Sequence, residues 1–172
     1  DFAREMAACL TPPPLDLRVN PVKSTREIML GALRALGLDA EPCRMAPYGI
    51  RIRKRPSLSG LPMLKDGEVE IQDEGSQLVG AALAAKPGEW LVDLCAGAGG
   101  KTLALAAMMA NKGQLYATDD DKRRLAPIHA RLERAGVRNV QVRTPKASGD
   151  VLADLDGECD LVLIDAPCTG IG

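Results

Sequence analysis

Aromatic residues are scarce in this sequence, and long apolar runs are missing from it. Phe, Trp and Tyr make up 2% of the 172 residues, which excludes a broad platform of rings for stacking nucleic-acid bases. No apolar segment reaches the roughly 20 residues needed to span a bilayer. Asp1, Arg4 and Glu5 stand where a signal peptide would have its apolar core. We therefore expect a cytoplasmic protein with no membrane partner.

Histidine and paired cysteines are also rare. The sequence has one histidine and five scattered cysteines without a C-x-x-C pair, so it favours neither a zinc site nor a disulfide framework, and we expect no metal. The cysteines are Cys9, Cys43, Cys95, Cys159 and Cys168. An excess of one charge is missing too, since 22 basic and 23 acidic residues give a formal net charge of -1. Any contact with nucleic acid must therefore be local.

Three segments of the chain have different patterns, and the first two precede residue 72. Residues 1–14 contain the end of a helix and a proline-rich linker, because consecutive prolines cannot continue a helix. Residues 15–71 predict a small α/β unit. Its predicted strands cover residues 15–19, 48–53 and 68–71. Ser24 and Glu27 form a capping-box pattern that opens its helix, and Gly37 ends it.

Residues 72–172 alternate between strand and helix patterns. Predicted strands cover residues 91–94, 114–118, 140–142 and 161–164. Predicted helices cover residues 76–85, residues 101–110 and a segment after Asp121 that Pro127 should bend. Strands separated by helical crossovers indicate a parallel, doubly wound sheet. We therefore expect a Rossmann-like α/β domain in this segment.

The run DLCAGAGGKT at residues 93–102 lies where the first of these strands gives way to a helix. Glycines there let backbone amides approach a ligand closely. A phosphate-binding P-loop is excluded because Cys95 occupies the position of its first glycine, and a dinucleotide site is disfavoured because Thr102 occupies that of its third. An acidic residue at the strand end followed by Gly97 and Gly99 fits a methyl-donor site better.

Asp119 ends the second strand of this segment, about 20 residues after the glycines, where Rossmann sites have their ribose-binding carboxylate. A carboxylate there can accept hydrogen bonds from both ribose hydroxyls. The alternative is that Asp119, Asp120 and Asp121 cap the following helix, whose N-terminus favours negative charge. We favour ribose binding by Asp119 and capping by Asp121.

The run DAPCTG at residues 165–170 follows the fourth strand, beside the crevice in which ligands of such sheets bind. Together with the glycine loop, it resembles the Nop/Sun (Fmu, RsmB-like) family of S-adenosylmethionine-dependent RNA (cytosine-5) methyltransferases. QDEGSQ at residues 72–77 is similar to the family's entry motif, and Asp119 with Arg124 is similar to its ribose motif. The resemblance covers about residues 15–172.

This resemblance implies an RNA-recognition-motif-like α+β subdomain at residues 15–71 and a class I methyltransferase domain, truncated after strand four, at residues 72–172. It implies contacts with S-adenosylmethionine by Cys95, Ala96, Gly97, Ala98, Gly99, Gly100, Lys101, Asp119, Arg124 and Asp165. Lys101, Asp165 and Cys168 would be catalytic, with Cys168 assisting product release and a later motif supplying the attacking cysteine. In DNA cytosine methyltransferases, the cysteine matching Cys168 would itself be the nucleophile.

Two departures from the family pattern affect these roles. Gly97 and Ala98 replace the usual Ala-Pro, which changes the stiffness of the loop more than its chemistry. After the third strand, RTPKASGD at residues 143–150 replaces the usual Gly-Asp that contacts adenine. Asp150 could substitute for that acid, but the sequence does not favour it for this role.

A basic cluster formed by Arg51, Arg53, Lys54 and Arg55 could contact RNA phosphates or could form a solvated strand end. The sequence favours transfer of a methyl group to C5 of cytosine in RNA, with ribosomal RNA of the small subunit as the expected partner. The alternatives are a noncatalytic protein that binds RNA or S-adenosylmethionine, and a methyltransferase for another substrate.

Overall fold

The structure, a computed structural model, describes residues 1–10, 13–53, 60–146 and 149–167. Its helices are α1 (Phe2–Cys9), α2 (Arg26–Ala35), α3 (Pro62–Lys65), α4 (Glu74–Ala82), α5 (Gly100–Met108), α6 (Lys122–Leu125) and α7 (Ile128–Ala135). Its strands are β1 (Leu15–Val19), β2 (Ala40–Pro42), β3 (Gly49–Ile52), β4 (Val69–Ile71), β5 (Trp90–Asp93), β6 (Gln114–Ala117), β7 (Val140–Val142) and β8 (Leu161–Leu163). A short 3-10 helix spans Ala153–Leu155. Within the four described ranges, every helix is too short or too polar to cross a membrane.

The first sheet is antiparallel, with strand order β2-β3-β1-β4. Helix α2 follows β1 and helix α3 follows β3, which gives the β-α-β-β-α-β order of ferredoxin-like folds. Leu17, Leu33 and Ile50 are fully buried between this sheet and its helices. The sequence patterns do not predict β2 or α3, because elements of 3 and 4 residues are too short to establish a period.

The start of α2 differs from the prediction by one residue. Thr25, and not Ser24, caps the helix, because its Oγ1 accepts a hydrogen bond from the Ile28 amide at 3.3 Å. The Ser24 amide donates to the Asn20 carbonyl at 3.0 Å, which places Ser24 in the preceding turn. A run of two hydroxyl residues offers two possible caps, and the turn before the helix selects the second.

The second sheet is parallel, with strand order β7-β6-β5-β8. This arrangement confirms the predicted doubly wound sheet. The chain order of the strands reverses between β5 and β8, and ligands of such sheets bind outside the carboxyl ends of the strands at that point. The helix after Asp121 is divided into α6 and α7 at Pro127, as its missing amide predicts.

Polar side chains join the first sheet to the second unit. Arg18 on β1 and Glu70 on β4 are register partners, and both are buried on the sheet face that packs against the second unit. The Arg18 guanidinium donates through Nε to Gln72 at 2.6 Å, and Asn20 donates to the Ala135 carbonyl at 2.9 Å. The first sheet therefore meets the second unit through its charged face, while its apolar face packs on α2 and α3.

Candidate functional site

Glycine residues determine the shape of the loop after β5. Gly97 and Gly99 have φ angles of +50° and +85°, in the left-handed region that glycine adopts readily. A Cβ on Gly99 would lie 2.6 Å from Cγ1 of Ile128, so this glycine also allows the loop to pack closely on α7. The Gly99 amide donates to the Ala96 carbonyl at 2.8 Å, and the Ala96 amide donates to the Thr118 carbonyl at 2.9 Å. These bonds tie the loop to the end of β6.

Asp93 supports the loop from inside the protein. The residue is 1% exposed, and its Oδ2 accepts a hydrogen bond from Thr102 Oγ1 at 2.7 Å. Burial raises the pKa of Asp93 to about 6, although hydrogen bonds from Thr102 and the Cys95 amide act in the opposite direction. The carboxyl group therefore has a structural role, in which it links the end of β5 to α5.

Asp119 lies just beyond β6 and turns its carboxylate toward the glycine loop. Its Oδ2 accepts a hydrogen bond from the Gly97 amide at 2.9 Å. Its Oδ1 accepts from the Asp121 amide at 3.0 Å and from Arg124 Nη2 at 2.6 Å. Burial alone would raise the pKa of Asp119, but hydrogen bonds from Asp121, Arg124 and Gly97 together lower it. Asp119 is therefore an ionised hydrogen-bond acceptor at neutral pH.

The surroundings of Asp119 fit the ribose of an adenosyl group. A carboxylate oxygen can accept two hydrogen bonds, so Oδ2 can take a ligand hydroxyl in addition to the Gly97 amide. Among the described residues other than its neighbours Ala96 and Ala98, the nearest atom to a Cβ built on Gly97 would be Asp119 Oδ2, at 4.0 Å. The loop is thus open on the side of the acceptor. The other oxygen is covered by Arg124, whose half-exposed side chain also pairs with Asp120 at 2.7 Å.

Lys101 and Asp165 form an ion pair next to this loop. Lys101 lies in the first turn of α5, Asp165 follows β8, and Nζ and Oδ2 are 2.6 Å apart. A cleft of about 390 Å³ adjoins the pair. Its lining residues include Gln72, Ser76, Cys95, Gly100, Lys101 and Asp165. Residues from the entry motif, the glycine loop and the segment after β8 therefore meet at one cleft.

Cys95 is the described cysteine that lines this cleft. Burial is the main cause that raises its pKa, and the carboxylates of Asp119 and Asp93 raise it further. A thiol with a raised pKa is protonated at neutral pH and is a weak nucleophile. Cys95 is therefore suited to contact a ligand and not to attack one.

Other predicted residues lie away from the cleft or outside the described part of the chain. Outside the described residues lie Cys168, Lys54 and Arg55. Asp150 accepts a hydrogen bond from the Leu152 amide at 2.8 Å and lines a different cavity, beside β5 and β8. Arg53 pairs with Glu41 at 2.7 Å, and its side chain is 61% exposed.

Arg51 has partners inside the protein. Its Nε and Nη2 each donate to one carboxylate oxygen of Asp16 at 2.8 Å, and Nη2 also donates to Glu74 at 3.2 Å. The ligand atoms of Asp16, Cys43 and Glu74 are close enough together to hold a metal ion. The guanidinium already bridges the two carboxylates, however, and burial raises the pKa of Cys43 to about 12. This group is therefore organised around an arginine.

No motif in the sequence points to Arg131, although its side chain lines the cleft. Arg131 Nη1 donates to the Ala98 carbonyl at 2.8 Å, and Nη2 donates to Glu70 at 2.8 Å. These partners are 33 and 61 residues away along the chain. A local sequence pattern carries no signal for contacts between such distant positions.

A family model described as 16S rRNA methyltransferase RsmB/F matches residues 80–172, the part of the chain that contains the loop, Asp119 and Asp165. The chain belongs to this family. A second model, described as the ferredoxin-like domain of RsmF/B-like methyltransferases, matches residues 2–59. The two matches confirm the resemblance predicted from the motifs. They also confirm the predicted α/β fold, with a small subdomain before a Rossmann-like methyltransferase domain.

Curated relatives in this family are longer than the chain. A Bacillus subtilis protein named "Probable ribosomal RNA small subunit methyltransferase B" is 34% identical over 163 residues, which cover 95% of this chain and 36% of the relative. A Shigella sonnei protein named "Ribosomal RNA small subunit methyltransferase B" is 33% identical over 162 residues, which cover 93% of this chain and 37% of the relative. The chain thus spans little more than a third of the length of these relatives.

Solved structures also resemble the chain. A methyltransferase homologue from Pyrococcus horikoshii is 35% identical, with a TM-score of 0.83 over 95% of this chain and 53% of the other. NSun6 from Pyrococcus horikoshii has a TM-score of 0.87 over 99% of this chain and 68% of the other at 22% identity, so it supports the fold alone.

Proposed function

We propose that the whole protein transfers a methyl group from S-adenosylmethionine to C5 of cytosine in ribosomal RNA of the small subunit, and that this chain supplies the methyl-donor site. The printed names of the relatives support ribosomal RNA methylation. One observation is the main support for the proposed position of the donor site. The ionised Asp119 carboxylate, which follows β6, accepts a hydrogen bond from the Gly97 amide in the loop after β5. The Lys101–Asp165 pair lies on the other side of β5, toward β8, where the strand order reverses.

The donor contacts follow from this arrangement. Asp119 would accept a hydrogen bond from a ribose hydroxyl, and Arg124 would keep that carboxylate ionised. The Ala96, Gly97 and Gly99 amides donate within the protein, so the loop would contact the ligand at the carboxyl end of β5 through its other backbone groups. The residues proposed to contact S-adenosylmethionine are Cys95, Ala96, Gly97, Ala98, Gly99, Gly100, Lys101, Asp119, Arg124 and Asp165.

The chemistry at cytosine needs several groups of the protein. Bound S-adenosylmethionine would supply an electrophilic methyl group on its sulfonium. C5 of cytosine becomes nucleophilic only when a thiolate adds at C6, and a base must later remove the C5 proton. Asp165, with its side chain 47% exposed and oriented by Lys101, could hydrogen-bond the cytosine. The family resemblance assigns product release to Cys168 and the attacking thiolate to a later motif.

RNA would reach this site from the ferredoxin-like unit. The basic residues proposed to contact RNA phosphates are Arg51, Arg53, Lys54 and Arg55. Two of these four residues, Arg51 and Arg53, are described by the structure, and the side chain of Arg53 is the more exposed. Arg51 is bound to Asp16 and Glu74. Arg53 therefore has the greater freedom to bind a phosphate.

Asp119→Asn in the full-length protein tests the donor site. The substitution keeps the shape of the side chain but removes its charge and one acceptor, so the dissociation constant for S-adenosylmethionine should rise by about tenfold or more. Isothermal titration calorimetry would measure it. Asp121→Asn is the matched control, because asparagine caps a helix as well as aspartate does and the donor affinity should stay unchanged.

The reaction itself is tested by tritiated methyl transfer to small-subunit ribosomal RNA, followed by identification of the modified base. We expect 5-methylcytosine with the wild-type protein. Donor binding without transfer would support the noncatalytic alternative, and transfer to another base would contradict the cytosine assignment. Absence of donor binding by the wild type would refute the proposed site.

A further inference from the structure

An arginine of α7 holds the carbonyl between the two left-handed glycines of the loop. Arg131 Nη1 donates to the Ala98 carbonyl at 2.8 Å. Ala98 lies between Gly97 and Gly99. Glycines lose more backbone conformational entropy than other residues when a loop becomes ordered. A charge-assisted hydrogen bond to this carbonyl fixes the orientation of the Ala98–Gly99 peptide.

Glu70 in turn fixes the position of Arg131. Its Oε2 accepts from Arg131 Nη2 at 2.8 Å, and its Oε1 accepts from Arg134 Nη2 at 2.6 Å. The Glu70 side chain is 5% exposed, so solvent screens these pairs less than it screens surface pairs. The planar guanidinium of Arg131 thus joins strand β4 of the ferredoxin-like unit to the loop of the other unit.

A second arginine approaches the same loop from β1. Arg18 Nη2 lies 3.5 Å from the Gly100 carbonyl, and Nε donates to Gln72 at 2.6 Å. Burial lowers the pKa of Arg18 to about 10, which still leaves it charged at neutral pH. Two cations therefore face carbonyl oxygens on one side of the loop, and both belong to the junction between the two units.

We propose that Arg131, held by Glu70, is a positioning residue for the methyl donor. It fixes the Ala98 carbonyl and so holds the loop in the conformation in which its ligand-facing side is formed. The inference rests on the proposed function, because it assumes that the loop binds S-adenosylmethionine. Its consequence is that the ferredoxin-like unit contributes to donor affinity without touching the donor, through the Glu70–Arg131 pair.

The matched pair of variants Arg131→Met and Arg134→Met in the full-length protein tests this role. Each variant removes one ion pair with Glu70 from the same helix, but only Arg131 also reaches the loop. We expect Arg131→Met to raise the dissociation constant for S-adenosylmethionine about tenfold and Arg134→Met to change it less than about twofold. In methyl-transfer assays, KM for the donor should rise in Arg131→Met while kcat stays close to that of the wild type.

The Arg131→Lys variant distinguishes an effect on the position of the loop from an effect on the stability of the whole protein. Lysine can keep the charge opposite Glu70, but its single ammonium cannot reproduce the two-pronged geometry that reaches both Glu70 and Ala98. Its thermal unfolding temperature should therefore stay near that of the wild type while donor affinity falls. If the wild type binds the donor and both Arg131 variants bind it equally well, this inference is wrong. If the wild type does not bind, the proposed function fails first.

Discussion

Two aspartates at the ends of neighbouring parallel strands have opposite electrostatic settings. Asp93 is buried against Thr102, and burial raises its pKa to about 6. Asp119 is also buried, but hydrogen bonds from Asp121, Arg124 and Gly97 lower its pKa. The first group is therefore adapted to packing, and the second is adapted to accept hydrogen bonds as an anion. Sequence position alone does not separate these roles, because both residues follow short apolar strands.

The contrast predicts opposite effects of pH on stability. A folded-state pKa above the ordinary value of about 3.8 for an aspartate means that the Asp93 carboxyl contributes stability below about pH 4, and that this stability is lost as pH rises through about 6. The stability of Asp93→Asn relative to that of the wild type should therefore rise by about 2 kcal/mol when the pH is raised from 4.5 to 7.5. Urea unfolding at both pH values would measure the difference.

Asp119→Asn is the control of opposite sign. A lowered folded-state pKa contributes stability above the unfolded-state pKa, and that stability disappears as pH falls through the folded value. The variant should thus be less stable than the wild type at pH 7.5, with the difference shrinking toward acid. A pH-independent difference between Asp93→Asn and the wild type would show that burial does not raise the pKa of Asp93.

At the scale of elements, the glycine loop depends on α7 as much as on its own sequence. Gly99→Ala would combine a φ of +85° with a Cβ placed 2.6 Å from Cγ1 of the fully buried Ile128. We expect the free energy of unfolding to fall by about 2–4 kcal/mol, from backbone strain and overpacking together. Chemical denaturation of the purified protein would measure this change.

Gly157→Ala provides a matched comparison for that prediction. Gly157 has a φ of +73°, but a Cβ there meets nothing within 4 Å among the described residues. It should lose only the backbone contribution of about 1–2 kcal/mol. Equal losses in the two variants would contradict a packing role for Gly99 against Ile128.

The elements that the sequence predicts are those with a clear period or a strong terminal signal. The four parallel strands and the break at Pro127 belong to this group. The prediction places the start of α4 at Ser76, whereas Asp73 caps the helix by accepting the Ser76 amide at 2.9 Å. An aspartate before a glycine-containing turn resembles a loop residue as much as a cap, so only the structure separates the two.

The residues of the candidate site likewise fall into those that the sequence predicts and those that only the structure identifies. The loop and Asp119 are adjacent to strands and carry local patterns, so the sequence suffices to propose them. The partners of Arg51 and Arg131 depend on how the two units pack, and their contacts join residues 23 to 61 positions apart. No helical or strand period relates such positions, so these internal roles require the structure.

At the scale of the whole molecule, the junction between the units limits which surface the proposed RNA contact could use. The charged face of the ferredoxin-like sheet is directed at the second unit through Arg18 and Glu70. RNA-recognition domains commonly bind RNA on the open face of such a sheet. In this chain that face is largely occupied by protein, so we expect phosphate contacts at the exposed end of β3, where Arg53 lies.

Arg53→Ala and Arg51→Ala should therefore have different effects in the full-length protein. Loss of Arg53 removes one phosphate contact, so RNA affinity should fall and the slope of log K against log salt should decrease by about 1, with unchanged thermal stability. Loss of Arg51 leaves the buried Asp16 carboxylate without its bidentate partner, so unfolding free energy should fall by about 3 kcal/mol. Fluorescence anisotropy at several salt concentrations and thermal unfolding would measure the two effects. An unchanged salt slope in Arg53→Ala would move the RNA path away from β3, because an exposed arginine at a phosphate contact must release counterions when it binds.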